Sequence, residues 1–108
     1  MITPDQARSL VDDFENQRKV KFDKLMAKHA VKLEESISKI IEERAKKGYV
    51  SVSVPNVAST FLEDRWFSWR FDPELLSERI TYYAKVGGFE LRDGQNIYGD
   101  PIKRIYWG

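Results

Sequence analysis

The chain has 108 residues with 18 basic and 17 acidic side chains, and this near balance argues against a protein that coats polyanions through overall charge. It contains no cysteine, which excludes disulfide bonds, thiolate metal sites and cysteine nucleophiles. The length favours a single domain over residues 1–108, and no apolar run approaches the roughly 20 residues that a membrane-spanning helix needs.

The first predicted element is one long helix over residues 4–47. Thr3 can cap it, Pro4 is tolerated at its first position, and Gln6 can hydrogen-bond back to the cap. At about 1.5 Å per residue the helix would be about 66 Å long, against a diameter of about 34 Å for a compact chain of this length. It therefore either breaks and folds back, or has part of its apolar stripe covered by another copy of the chain or by another protein.

The apolar stripe of this helix repeats about every 3.7 residues, which is close to a straight helix and disfavours a regular left-handed coiled coil. The stripe is thin around Arg18, so a break or an exposed stretch is expected between residues 15 and 21. His29, the single histidine, is interpreted as a core or seam residue rather than as a metal ligand or catalytic base. The stripe consists of Ala7, Leu10, Phe14, Arg18, Phe22, Leu25, His29, Leu33, Ile37, Ile40 and Arg44.

A half-buried strand is predicted over residues 49–54, where valine alternates with smaller or polar residues and Pro55 ends the pattern. The region that follows, residues 56–71, is ambiguous between helix and strand. We favour a short helical turn leading into an extended aromatic segment. The strand valines are expected to face inward: Val50, Val52 and Val54.

A second helix and a hairpin complete the predicted order. Asp72-Pro73 repeats the signal of a cap followed by a proline, which predicts a helix over residues 73–86. Strands are expected over residues 89–92 and 102–107, joined by a long irregular loop over residues 93–101.

These elements predict an α+β fold. It has a long N-terminal helix over residues 1–47 and a small unit over residues 48–108 with the second helix and a mainly antiparallel sheet. Two or more copies are expected to associate through the long helix, because one small body cannot cover its whole stripe.

Aromatic side chains concentrate in the C-terminal half of the chain, with arginines among them. The simpler explanation is a core filled with large side chains. The functional explanation is a surface whose rings stack on a base or anchor a protein while guanidinium groups pair with phosphates, with Tyr106 as a further candidate ring. The predicted contact surface consists of Arg65, Trp66, Trp69, Arg70, Arg92, Tyr98, Arg104 and Trp107.

A basic ridge lies beside the apolar stripe of the long helix, formed by Lys21, Lys24, Lys28 and Lys32. The commoner explanation is a solvated flank whose lysine stems cover apolar surface. The alternative is an anion-binding ridge for nucleic acid or an acidic partner. Acidic clusters at residues 12–15 and 34–35 bracket the ridge, so an antiparallel pairing could set the basic middle of one helix against the acidic ends of another.

The sequence contains no catalytic, metal-binding or nucleotide-binding motif. Adjacent carboxylates such as Glu42-Glu43 point about 100° apart on a helix and do not form an acid–base pair by themselves. The serines and threonines have no histidine nearby in sequence, and the glycines match no phosphate-binding loop. We therefore predict a protein that is not an enzyme and holds neither cofactor nor metal.

Three stretches follow one another in a layout that covers roughly residues 35–108. Lys47-Gly48-Tyr49-Val50-Ser51-Val52 follows a charged helix, Gly87-Gly88-Phe89-Glu90-Leu91 follows the second helix, and a terminal strand runs from Ile102 to Trp107. The layout resembles that of small uncharacterised accessory proteins encoded by bacteriophages. The resemblance implies a protein that binds and inhibits a host factor, or one that captures a small signalling nucleotide to counter a bacterial defence.

The function predicted from these observations is a non-enzymatic, oligomeric binding protein with a protein or a small anionic nucleotide as its partner. Nucleic-acid binding through the ridge, Arg92, Lys103 and Arg104 is less favoured, because the helix over residues 73–86 carries as many acids as bases. The first residues lack the basic and apolar regions of a signal peptide, so we expect a soluble protein in the cytoplasm, that of the host cell if phage-encoded, without a membrane partner.

Overall fold

The computed structural model describes residues 1–63 and 71–108, and it has the predicted α+β fold with a long N-terminal helix. The element order is α1 (Pro4–Lys46), β1 (Ser51–Ser53), α2 (Val54–Glu63), α3 (Pro73–Val86), β2 (Glu90–Gln95) and β3 (Pro101–Tyr106). The long helix, the helix over residues 73–86 and the antiparallel sheet are confirmed. A further helix, α2, lies between the first strand and α3.

α1 is one uninterrupted helix of 43 residues. Its start has the predicted capping box, in which the Thr3 hydroxyl accepts from the Gln6 N–H and the Gln6 side chain accepts from the Thr3 N–H. It ends at Lys46, and Gly48 just beyond it has a φ of 85°, a backbone conformation that glycine adopts without strain. The helix has no break between residues 15 and 21, but most of this stretch is exposed, which is the other expected alternative. Arg18 lies within the helix and donates to Asp72 and Glu74 at the start of α3.

The sheet has three antiparallel strands in the order β1-β3-β2. Val52 lies opposite Ile105, and Leu91 lies opposite Ile105 from the other side. Val52 and Ile105 are fully buried, so this face of the sheet packs against the helices. Because successive side chains of a strand alternate between faces, the neighbouring residues of each strand lie on the opposite, outer face.

The first strand is shorter than predicted, and Pro55 does not end it. Val54 is already the first residue of α2, and Pro55 lies in the first turn, where its missing N–H costs nothing. The Ser53 hydroxyl accepts from the Asn56 N–H at 3.2 Å and so caps this helix. Val54 is buried as predicted, whereas Val50 is 48% exposed.

The hairpin is more regular than predicted, because β2 and β3 extend into the expected irregular loop over residues 93–101. β2 continues to Gln95 and pairs with Pro101, leaving a connection of residues 96–100. The Asn96 side-chain oxygen accepts from the N–H groups of Tyr98 and Asp100 at 2.9 and 3.0 Å. This local hydrogen bonding closes the turn. The extended aromatic segment predicted within residues 56–71 lies largely outside the described residues.

The core lies where α1, α2 and α3 meet the inner face of the sheet. The stripe of α1 enters it at Phe22 and continues through Leu33 and Ile37. Residues 1–14 lie entirely outside this core, and all of them are exposed. The Cα radius of gyration is 16.5 Å, against about 13 Å expected for a compact chain of this length. The structure is therefore a compact body with part of one helix projecting from it.

No helix within the described ranges, residues 1–63 and 71–108, combines the length and the apolar character that crossing a lipid bilayer requires.

Candidate interaction surfaces

The projecting segment, residues 1–14, is called the arm here, and it carries three large apolar side chains on its surface. Leu10, Val11 and Phe14 are 60%, 59% and 64% exposed. Leu10 and Phe14 are four residues apart and therefore lie on one side of the helix. The sequence predicted their place on the apolar stripe, and in the described residues that part of the stripe is uncovered.

The arm is also acidic, with Asp5, Asp12 and Asp13 against a single arginine, Arg8. Asp5 and Arg8 form an exposed ion pair at 3.2 Å. Within the described part of the chain, neither Asp12 nor Asp13 has a hydrogen-bond or ion-pair partner.

The compact body begins at a cluster of charges around Arg18. Its Nη2 donates to Asp72 Oδ1 at 3.0 Å and to Glu74 Oε2 at 2.9 Å, and its Nη1 donates to Glu15 at 3.2 Å. Asp72 also caps α3 by accepting from the N–H groups of Glu74 and Leu75. One side chain of α1 therefore holds the capped start of α3, which fixes α3 against α1.

This cluster shifts the pKa values of its members. The hydrogen bond from Arg18 is the main reason why the pKa of Asp72 lies below its ordinary value, and the N–H groups of the helix start act in the same direction. The same bond raises the pKa of Arg18 above its already high value. Both groups are therefore charged at neutral pH. The sequence pattern indicated Arg18 only as a weak point of the stripe, because Asp72 and Glu74 are more than 50 residues away from it.

The groove between α1 and α3 has a volume of about 470 Å³, with Phe22, Leu75 and Tyr82 among its lining residues. Arg79 of α3 pairs with Asp23 of α1 at 2.6 Å, and its guanidinium carbon lies 5.5 Å from the centre of the Phe22 ring. Asp23 and Arg79 both line this groove. Two of its charged groups, Asp23 and Arg79, are thus paired with each other, and we interpret the groove as a packing seam.

The four lysines of the basic ridge are exposed along α1. At 100° per residue, Lys21, Lys28 and Lys32 lie on the same side of α1 as Leu10 and Phe14. That side is turned away from the core positions of the helix. Among the described residues, no ridge lysine forms an ion pair. The apolar side of the arm is therefore continuous along α1 with a basic surface whose lysines have no ion-pair partner among the described residues.

The predicted aromatic and arginine surface is only partly described, since Arg65, Trp66, Trp69 and Arg70 lie outside the described residues. Tyr98 is 82% exposed at the tip of the hairpin. Trp107 is half-buried, packs against the core, and donates its indole N–H to the Tyr49 carbonyl at 3.1 Å. The structure therefore does not place Tyr98 and Trp107 on one surface with the two arginines of the hairpin.

Those two arginines, Arg92 and Arg104, are direct cross-strand partners on the outer face of the sheet. Arg92 donates to both oxygens of Glu90 at 2.9 and 3.1 Å, and its guanidinium carbon lies 4.2 Å from the centre of the Tyr106 ring. The hydrogen bonds from Arg92 lower the pKa of Glu90. Glu90 was not predicted as part of this surface, although it lies two residues before Arg92, a spacing that puts both side chains on one face of a strand.

No group of three or more histidine, aspartate or glutamate side chains that could hold a metal ion occurs in the described parts of the chain. His29 packs edge-to-face against Phe71, with their ring centres 5.6 Å apart. The half-buried position of His29 agrees with its interpretation as a residue at the edge of the core.

Comparisons with known proteins give no match. No family model matches the chain, and neither a curated protein nor a solved structure does. The resemblance to phage accessory proteins and the absence of catalytic activity therefore stay predictions.

Proposed function

We propose that this protein is a non-enzymatic binding protein that works as a dimer, in which the arm of each copy packs against the α1 helix of the other. The observation that supports this proposal most is the exposure of Leu10, Val11 and Phe14, each about 60%. They form one apolar surface on a helix that leaves the compact body.

The arm needs a partner for a physical reason. Its helical part, residues 4–14, extends α1 beyond the compact body, where only the helix backbone and no packed apolar face stabilises it. Most helical stability in proteins comes from packing an apolar face rather than from propensity. The arm alone does not pack on its own body, so a second surface that covers Leu10 and Phe14 would stabilise it as a helix.

The charges of α1 favour a second copy as the partner, in an antiparallel orientation. The arm carries an unpaired Asp13 at the flank of the side that holds Leu10 and Phe14, and the basic ridge carries unpaired lysines. An antiparallel pair centred between the two segments places Asp13 of each copy beside the lysines of the other, twice by symmetry. A parallel pair would instead place acid beside acid and lysine beside lysine.

The length of the overlap also favours this register. Two arms paired only with each other would overlap over about 17 Å of helix, whereas an overlap of residues 4–32 spans about 43 Å. Stable interfaces bury about 800 Å² per partner, which favours the longer overlap. Lysine stems of the ridge can cover Leu10 and Phe14 while their ammonium groups reach Asp13.

A dimer presents two copies of every other surface of the protein. Such an arrangement suits a protein that captures its target by binding at two points, since a second linked contact raises the overall affinity without new chemistry. We therefore propose a cytoplasmic protein that inhibits its target by binding it at two points and does not convert it chemically. We propose a protein or a small anionic nucleotide as the target.

Light scattering coupled to gel filtration tests the dimer. We expect the wild type to have twice the chain mass at tens of micromolar, and Phe14→Glu to have the mass of one chain. Val86→Glu is the matched control, because Val86 is 69% exposed at the end of α3 and lies outside the proposed interface. A wild type that is monomeric at every concentration contradicts the proposal, as does dissociation by both substitutions alike.

Charge reversal tests the orientation. The variants Lys21→Glu/Lys28→Glu and Asp13→Lys should each be monomeric, and an equal mixture of the two should form a heterodimer. Wild-type mass in both separate variants would exclude the antiparallel register. An oligonucleotide that binds the wild type and not Lys21→Glu/Lys28→Glu, with no change of mass, would instead assign the ridge to nucleic acid.

A further inference from the structure

The outer face of the sheet carries a row of polar side chains. The inner face is apolar, with Val52 and Ile105 fully buried. On the outer face the register places Ser53 opposite Arg104, and Arg104 opposite Arg92. Two like charges directly opposite each other destabilise a sheet, so this arrangement calls for a compensating negative charge.

Only one of the two arginines has such a charge among the described residues. Arg92 is paired through two hydrogen bonds with Glu90. Arg104 instead donates from Nε at 3.2 Å and from Nη2 at 3.0 Å to a single neutral oxygen, Ser51 Oγ. Within the described part of the chain no carboxylate pairs with Arg104, so this half-buried guanidinium keeps its full positive charge.

The edge of Arg104 that faces Ser51 is the one suited to an oxyanion. Nε and Nη2 of a guanidinium donate two parallel hydrogen bonds, which match two oxygens of a carboxylate or a phosphate. A serine hydroxyl offers one oxygen to both donors and also carries a proton that it can donate. An oxyanion at this edge would take one N–H on each of two oxygens and accept the Ser51 proton on one of them.

The position of Arg104 is fixed by packing as well. A Cβ atom at Gly94 would lie 3.4 Å from Arg104 Cδ, so the arginine stem packs beside the one position of β2 without a side chain. The guanidinium therefore reaches Ser51 from a held stem. A held donor loses less conformational entropy when a ligand binds.

We propose that this face of the sheet binds a phosphate group, with Arg104 as the main ligand, the Ser51 hydroxyl as a second donor and Arg92 at the side. A phosphate suits the site better than a carboxylate because its three oxygens can accept from all of these donors. The two arginines and Glu90 leave one net positive charge for it. The site lies on the sheet rather than on the arm, so it does not depend on the proposed dimer.

The experiment titrates inorganic phosphate into the full chain at constant ionic strength and follows the Nε–H resonances of the arginines by NMR. We expect a saturable shift at Arg104. Arg104→Lys should weaken phosphate binding about tenfold, because lysine keeps the charge and loses the two parallel hydrogen bonds. Lys103→Ala is the control on the same strand, since Lys103 faces the other side and pairs with Asp93 at 2.6 Å, and it should bind phosphate like the wild type.

A second titration with adenosine monophosphate identifies the source of the phosphate. Tighter binding than that of inorganic phosphate would indicate a nucleotide whose base stacks on the sheet, and equal binding would indicate the phosphate group alone. If Arg104→Lys does not fold, Ser51→Ala is used in its place. Weaker phosphate binding is again expected, and it is measured by the shift of the Arg104 Nε–H resonance. The proposal is overturned if no saturable shift occurs up to about 20 mM, or if Lys103→Ala weakens binding as much as Arg104→Lys.

Discussion

The two ends of α1 both carry large apolar side chains, and the surroundings of the two ends are opposite. In the arm, Leu10 is 60% exposed, whereas Leu33, farther along the helix, is fully buried. The capping box at Thr3 and the regular backbone are nevertheless continuous through both parts. The comparison shows that helix continuity and helix stability are separate properties. The second half of α1 is stabilised by its own domain, and we propose that the first part is stabilised by a surface from outside it.

The largest expected effect follows directly from this contrast. Leu33→Ala should reduce the free energy of unfolding by about 2–5 kcal/mol, as deletions in a packed core do. Leu10→Ala should change it by less than about 0.5 kcal/mol at concentrations where the protein is a monomer. Urea unfolding followed by circular dichroism measures both. Equal losses for the two variants would mean that the arm packs on its own body.

The next effect tests whether the cluster around Arg18, where the compact body begins, holds α3 against α1. Asp72→Ala removes the cap of α3 together with the main partner of Arg18, and it should cost about 1 kcal/mol of stability. Asp93→Ala is a suitable control, because Asp93 is an exposed partner of Lys103 and a surface pair of this kind contributes little. If both variants unfold at the same urea concentration, the Arg18 cluster does not hold α3 against α1.

A smaller effect concerns the stability of the protein at acidic pH. Because the pKa of Asp72 is lowered in the folded state, the unfolded state binds more protons as the pH falls below about 4. The contribution of Asp72 is therefore complete above its ordinary pKa and is lost as the pH falls through the lowered value. Asp72→Asn keeps a capping side chain without this titration, so its loss of stability between pH 6 and pH 3 should be smaller. Urea midpoints at the two pH values compare the variant with the wild type, and identical pH dependence would contradict this assignment.

The parts of the fold that were predictable are those with local signals. The caps at Thr3 and Asp72, each followed by a proline, predict the starts of α1 and α3 because the satisfied N–H groups lie within three residues of the cap. Pro55 misled the prediction because a proline that ends a strand and one in the first turn of a helix look alike. The Ser53 hydroxyl, which caps that helix, decides between them.

The candidate sites were less predictable because they depend on contacts between distant residues. Arg92 and Arg104 were expected on a contact surface, but their direct opposition follows only from the register of the hairpin. Asp72 and Glu74, which pair with Arg18, are distant in sequence at the start of α3. The apolar pattern of α1 therefore indicated only a gap in the stripe at the position where the structure has an ion-pair cluster. The exposure of the arm could be predicted only from the length of α1, since a helix longer than the compact body must project from it.

Hydrogen–deuterium exchange at two protein concentrations tests the central claim most directly. In dilute solution the amides of residues 4–14 should exchange rapidly while those around Leu33 and Ile37 stay protected, because only the latter pack in their own domain. At high concentration the arm amides should become protected as the second copy covers them. Arm amides that are protected equally at both concentrations in a monomeric protein would contradict the account, and so would arm amides that remain unprotected in a dimer.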